Sequence, residues 1–152
     1  MSKVYGNSMY PYPDCGNCPL DLRDYGPAPF VINLAQATLQ NTNYRTALWT
    51  GCYLQLTLMS INVGEDIGLE MHPYADQFIG VESGQGLVRM GNCPDNVTFQ
   101  RQVADDDIIM IPAGTWHNVI NTGNRPLKLY SIYGPPLHPR GTIEVTRPEE
   151  HH

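Results

Sequence analysis

Turn-forming residues cut the stretch between Arg45 and Gly134 into short runs, and this limits the fold more than any other feature. The runs are CYLQLTLMSI (52–61), IGLEMH (67–72), QFIGVE (77–82), GLVRM (86–90), NVTFQRQV (96–103), DIIMIP (107–112), WHNVIN (116–121) and LKLYSIYG (127–134). Between them lie Pro-Tyr-Ala-Asp, Ser-Gly-Gln-Gly, Asn-Cys-Pro-Asp, Ala-Asp-Asp, Ala-Gly-Thr and Thr-Gly-Asn-Arg-Pro. No run shows a long amphipathic helical pattern. Several alternate: Leu54, Leu56 and Leu58 fall on one face of the first run, and Gln55, Thr57 and Met59 on the other. About eight short strands at regular spacing predict an all-β antiparallel sandwich or barrel.

The ends read differently. Residues 1–29 are rich in proline, glycine and tyrosine without periodicity, so they form an irregular arm that wraps the domain or hangs free. NLAQATLQNTNYR (33–45) has room for one helical turn. Residues 30–140 form a single barrel domain, and 141–152 a tail that returns across it or stays mobile. His151 and His152 read equally well as native residues or as the remnant of a purification tag, and no chemistry is assigned to them. No internal repeat suggests a second barrel.

The net charge is −6, and the nine lysines and arginines are scattered. Without a basic cluster, nucleic acid is not an expected partner. No run reaches the roughly 18–20 apolar residues of a transmembrane span, and the first residues have no secretory apolar core. The expectation is a cytoplasmic protein that meets no membrane. In that compartment Cys15, Cys18, Cys52 and Cys93 should mostly be thiols. Cys15-Gly16-Asn17-Cys18 is a lone C-x-x-C, read first as two thiols in a surface arm, with a disulfide or an intersubunit metal clip as alternatives.

Four polar residues stand out against the apolar runs. Glu70 and His72 are two apart, so they share a face of an extended chain. Pro73 ends that segment. Gln77 opens the next strand after four loop residues. His117 follows IPAGTWH, where Pro112 and Gly114 bend the chain. Three neighbouring strands would aim all four side chains at one point. Imidazole, carboxylate and amide oxygen are ligands for a divalent ion, and two imidazoles favour a transition metal over calcium or magnesium. The competing reading is an outward, solvated Glu70–His72 pair and an ordinary core His117.

The same residues resemble the two motifs of the cupin superfamily. Gly64, Glu70, His72, Gln77 and Gly84 fit the frame G-x5-H-x-H-x4-E-x6-G without a gap. Pro112, Gly114, His117 and Asn121 fit G-x5-P-x-G-x2-H-x3-N, with Asp106 in place of the opening glycine. The resemblance implies a double-stranded β-helix, or jelly-roll, barrel holding one divalent transition ion (Zn, Mn, Fe, Ni or Co) on Glu70, His72, Gln77 and His117. The family's first imidazole is a glutamate here and its carboxylate a glutamine, so the single negative charge is moved rather than lost. A glutamine ligand is similar to the mannose-6-phosphate isomerase branch, where the likeness implies zinc; that likeness is in ligand type, not sequence order.

The function expected from these residues is a metal-binding cupin that holds a small oxygen-rich ligand, of sugar or acid type, as a sugar or sugar-phosphate isomerase or epimerase. The alternatives are a metal-dependent dioxygenase and a non-catalytic ligand-binding or structural barrel. Trp116 should face away from His117, and with the tyrosine-rich arm it predicts a homodimer. Phe78 and Glu82 should also face away from the site. Of Tyr130 and Tyr133, at most one lines the pocket. Arg89 reads better as a surface arginine than as an anion ligand at the barrel mouth, and a His138 that covers the opening is a minor reading. ADDD (104–107) reads as a solvated turn.

Overall fold

LKLYSIYG alternates buried and half-buried residues along its whole length, because in an extended chain successive side chains point to opposite faces. Here both faces are covered, and two cores result. The computed structural model describes residues 18–149. In chain order its elements are α1 (Leu34–Gln40), β1 (Arg45–Thr50), β2 (Gln55–Ile61), β3 (Asp76–Ser83), β4 (Gln85–Gly91), β5 (Phe99–Ala104), β6 (Ile108–Ile111), β7 (Trp116–Asn121), β8 (Leu127–Gly134) and β9 (Ile143–Glu144). One sheet has the order β6-β3-β8-β2-β1-β9 and the other β5-β4-β7. All pairings are antiparallel. Among the described residues no helix is long and apolar enough to cross a membrane.

The register sorts the inner face of the large sheet into rows. Gln55, Tyr133, Gln77 and Ile111 lie side by side at one end; Thr57, Ser131, Ile79 and Ile109 come next; Met59, Leu129 and Val81 follow. Polarity thus falls along the barrel axis. The apolar end packs with Val88, Val103, Val119 and Leu127 into the main core. Asn121 closes that end: its amide donates to the carbonyls of Ile61 and Arg125 and accepts from Gly123 N–H. The second core lies outside the barrel. Leu48 and Leu58 point away from the interior and are covered by Ala37 of α1 and by Leu20, with Leu22, Tyr25, Phe30 and Tyr130 around them.

Asn33 caps α1 by accepting from the N–H of Gln36, which satisfies one of the free donors of the first turn. Asp24 fixes the chain that precedes the helix. Its carboxylate accepts from the N–H groups of Gly26, Thr50 and Gly141 and from the Thr50 hydroxyl. One side chain therefore ties residues 24–26, the end of β1 and the tail. The described part of the arm wraps the sheet, and β9 returns the tail to β1.

Two expectations need correction. IGLEMH is not a strand; only Asp66 and Glu70 make isolated bridges, to Ile120 and His117. Gly68 is the reason: its φ of +81° lies in the left-handed region that breaks an extended ladder. Cys18 is disulfide-bonded, not a thiol, while Cys52 and Cys93 are free; Cys15 lies outside the described residues, as do His151 and His152. The other strands appear with shifted ends. β2 starts at Gln55 rather than Cys52, and β5 at Phe99 rather than Asn96. ADDD does form a turn, with Asp105 accepting from Gly84 N–H and Asp107 from Ala104 N–H. Asp106, which occupies the motif's glycine position, has φ +73°, a conformation that aspartate tolerates better than most residues.

Gly80 shows how closely the outer face is packed. A Cβ there would lie 2.2 Å from Cζ of Tyr130, and that ring is stacked on Phe78. Gly80→Ala is expected to cost roughly 1–3 kcal/mol through overpacking, measured by urea unfolding. An unchanged midpoint would mean that the Tyr130 ring moves aside freely.

Candidate metal centre

Glu70 and His117 exchange both backbone hydrogen bonds, Glu70 N to His117 O at 3.0 Å and His117 N to Glu70 O at 2.8 Å. Residues so paired put their side chains on the same face. The next link along is Gly114 N to His72 O at 2.9 Å, and Asp76 accepts from Ala113 N–H at 2.9 Å. The two motif turns are therefore fastened to each other, although residues 67–72 form no strand. As a result Glu70 Oε1 lies 3.4 Å from Nε2 of both His72 and His117. Two ligands held at about 2.0–2.2 Å from one ion lie roughly 3.0–3.5 Å apart. One ligand atom from each of Glu70, His72 and His117 falls within 4.8 Å of the others.

His117 is fully buried, and its Nδ1 is 2.9 Å from the Thr115 carbonyl. A carbonyl only accepts, so Nδ1 carries the hydrogen and Nε2 presents a lone pair to the cluster. Neither imidazole Nε2 has a partner in hydrogen-bond geometry, although both are buried. Gln77, 2% exposed, points inward from the second residue of β3. Its amide nitrogen donates to Ser131 Oγ at 3.2 Å, which leaves Oε1 as the free end, buried and without a partner. A buried polar atom left unpaired costs about 1–3 kcal/mol. Three of them, all lone-pair donors, accompany one carboxylate. That donor set fits a divalent borderline ion.

Burial opposes ionisation of Glu70, but in the metal-free protein hydrogen bonds and charge from the two facing imidazoles, when their Nε2 atoms carry protons, outweigh it and hold its carboxyl down to about 2. Tyr133 is 1% exposed and joins the parts of the polar end. It lies edge-on to His72, with ring centroids 6.1 Å apart, and to His138 at 5.2 Å. Burial raises its phenol pKa, against the lowering effect of Arg45 nearby. Burial also pushes the His138 imidazole down to about 4, helped by the positive charge of Arg45. Gln55 fixes this histidine in place: its Oε1 accepts from the N–H groups of Leu137 and His138, and its Nε2 donates to the His138 carbonyl.

These values set a pH dependence. Free histidine titrates near 6.5. Between about 6.5 and about 4, then, the unfolded chain holds a proton that folded His138 does not, and stability falls as pH drops through that window. Glu70 adds a second loss below its ordinary value of 4.5, as pH falls toward about 2. His138→Asn is expected to flatten only the upper limb of a stability-against-pH curve for the metal-free protein. An unchanged upper limb would assign that proton elsewhere.

The four residues singled out from the sequence all reach the polar end of the barrel, Glu70, His72 and His117 as a cluster and Gln77 on the adjoining row. Tyr133, not Tyr130, lines the interior, and Phe78 stacks on Tyr130 outside. Arg89 lies on the outer face of the small sheet, opposite Gln100 and Asn118, and so is not at the mouth. Sequence reasoning missed Arg45, Gln55, Thr57 and Ser131. The signal was there in the last three: an amide or small hydroxyl at alternate positions of otherwise apolar strands.

A two-sheet antiparallel barrel with its polar cluster on these two motif turns is the cupin architecture. Residues 57–133 match the cupin-domain family model Cupin_2, and the chain belongs to that family. It is 63% identical over 126 residues to YrkC of Bacillus subtilis (strain 168), covering 83% of this chain and 68% of that protein. It is 42% identical over 121 residues to protein L612 of Acanthamoeba polyphaga mimivirus, covering 79% and 74%. Among solved structures it resembles BH2720 from Bacillus halodurans, with a TM-score of 0.82 and 64% identity, over 82% of this chain and 95% of that one.

Proposed function

We propose that this cupin holds one divalent transition ion on Glu70, His72, Gln77 and His117 and isomerises or epimerises a small oxygen-rich molecule in the barrel. The observation that carries the reading is the set of buried, unpartnered atoms His72 Nε2, His117 Nε2 and Gln77 Oε1, with the Glu70 carboxylate beside the two imidazoles. A bound ion would act there as a Lewis acid toward a substrate oxygen. The chain itself supplies the rest. Gln55 pins the backbone of residues 137–138 and so fixes His138. Its Nε2 is buried and without a partner, and its depressed pKa keeps it unprotonated at neutral pH. In that state it can take a proton from a carbon beside a carbonyl and return it to the neighbouring carbon, although a pKa of about 4 makes it a weak base at neutral pH. The Tyr133 phenol stays protonated and can donate to a substrate oxygen.

The first test is metal analysis of protein prepared without chelator or nickel resin. Close to one equivalent is expected, and less than about a tenth would overturn the reading. The second is incubation of metal-loaded protein with small aldoses, ketoses and sugar acids in heavy water. Deuterium should enter at the carbon beside the carbonyl, and His138→Asn should slow that exchange by roughly 10²–10⁴-fold. Exchange equally fast in the variant would remove His138 from the role.

A further inference from the structure

Arg45 is an unusual residue for the inside of a small barrel. It is 7% exposed and lies directly across from Met59, on the strand face that lines the interior. Its Nη1 is held by the Glu144 carboxylate of the returning tail, and its guanidinium lies over the Tyr44 ring, 5.1 Å from the centroid. Its Nε, however, is buried and has no partner. Thr57, the inner-face residue diagonal to Arg45, lies beside Tyr133, and its hydroxyl likewise has no partner in hydrogen-bond geometry. A buried charged donor left without an acceptor is costly, and Glu144 already satisfies the side of the guanidinium that packing needs.

We propose that Arg45 and Thr57 form the seat for a carboxylate, so that the barrel takes a small carboxylic acid with its acid group on Arg45 and its other oxygens toward the Glu70–His72–His117 cluster. This deepens the reading above and rests on it for the far end of the ligand only. The free edge of a guanidinium, Nε with its neighbouring nitrogen, matches the two oxygens of a carboxylate in plane. Charge selects the same group. Arg45 is paired with Glu144, and both it and Glu70 act electrostatically on Tyr133 and His138, so one further negative charge is balanced once a divalent ion is present. A phosphate dianion would bring an excess charge with no second cation to meet it.

The experiment titrates L-lactate, its neutral isostere lactamide and inorganic phosphate into the full-length protein, with and without metal, by calorimetry. Metal content is measured alongside. Lactate is expected to bind at least tenfold more tightly than lactamide or phosphate. Arg45→Met should keep its metal and lose that preference. Should Arg45→Met fail to fold, Thr57→Val decides. It removes a hydroxyl that lies near the Tyr133 phenol but makes no hydrogen bond of full geometry, so it should still fold and weaken lactate by about threefold or more. Lactate and lactamide binding alike, phosphate binding more tightly than lactate, or unchanged lactate binding in the variants would overturn the proposal. If the wild type carries no metal, the reading of the metal site fails on its own. Lactate binding that still depends on Arg45 would then support the seat, and its absence would overturn it.

Discussion

Glu70→Ala and His117→Ala are each expected to lose the bound metal during purification, with an affinity drop larger than the ~10–100-fold seen when only a supporting contact is removed. Glu70 supplies the only carboxylate of the cluster, so its loss removes the charge that balances the cation. His117→Ala removes a fully buried lone pair whose direction is set by the Thr115 carbonyl, and no mobile side chain replaces it. Gln77→Ala should weaken binding less, because an amide oxygen is a neutral and weaker ligand. The readout is elemental analysis together with melting temperature in the presence and absence of added zinc or manganese. Ligand occupancy at a hundred times the dissociation constant stabilises a fold by about 2.7 kcal/mol, and that metal-dependent increment should vanish in both variants. Stoichiometric metal in both would mean that the ion is held elsewhere.

Leu58→Ala is expected to give the largest loss of stability away from the site, about 2–5 kcal/mol. Leu58 is fully buried, but not in the barrel. It fills the space between the outer face of the large sheet, α1 and the arm. The substitution leaves a cavity that the sheet on one side and the helix on the other cannot both close. Because the opposite face of β2 carries Gln55, Thr57 and Met59, the variant should keep its metal content while its urea midpoint falls. Metal lost in proportion to stability would show that the two faces are coupled more tightly than the layering implies.

The contrast on β2 explains how far the sequence could be read. The alternation of leucines with Gln55, Thr57 and Met59 was plain, and it correctly identified a strand. It could not tell which face turned inward. The apolar Leu56 and Leu58 face the helix and arm, and the mixed polar face lines the barrel. A strand covered on both sides has no solvated face, so the more polar face need not be the outer one. Arg45 was overlooked for a related reason. An arginine at the start of a strand is by default a surface residue, and only the tail strand β9, which brings Glu144 across it, makes it an interior one. The segment 67–72 was read as a strand because its apolar content is right; the positive φ of Gly68 breaks the ladder there. Even so, Glu70 and His72 meet where they were expected to, because their positions depend on the pairing of Glu70 with His117 rather than on a continuous strand.

The sequence by itself determined the all-β class, the two motif turns and the residues that meet at the polar end, since local periodicity and turn chemistry act over a few residues and are written in them directly. Only the tertiary structure decided which face of each strand became the interior, which of two tyrosines entered it, and that Arg45 is buried with a partnerless Nε. Those outcomes depend on pairings between residues far apart in the chain, such as Arg45 with Glu144 across 99 residues and Asp24 with Gly141 across 117, and such contacts have no local signature.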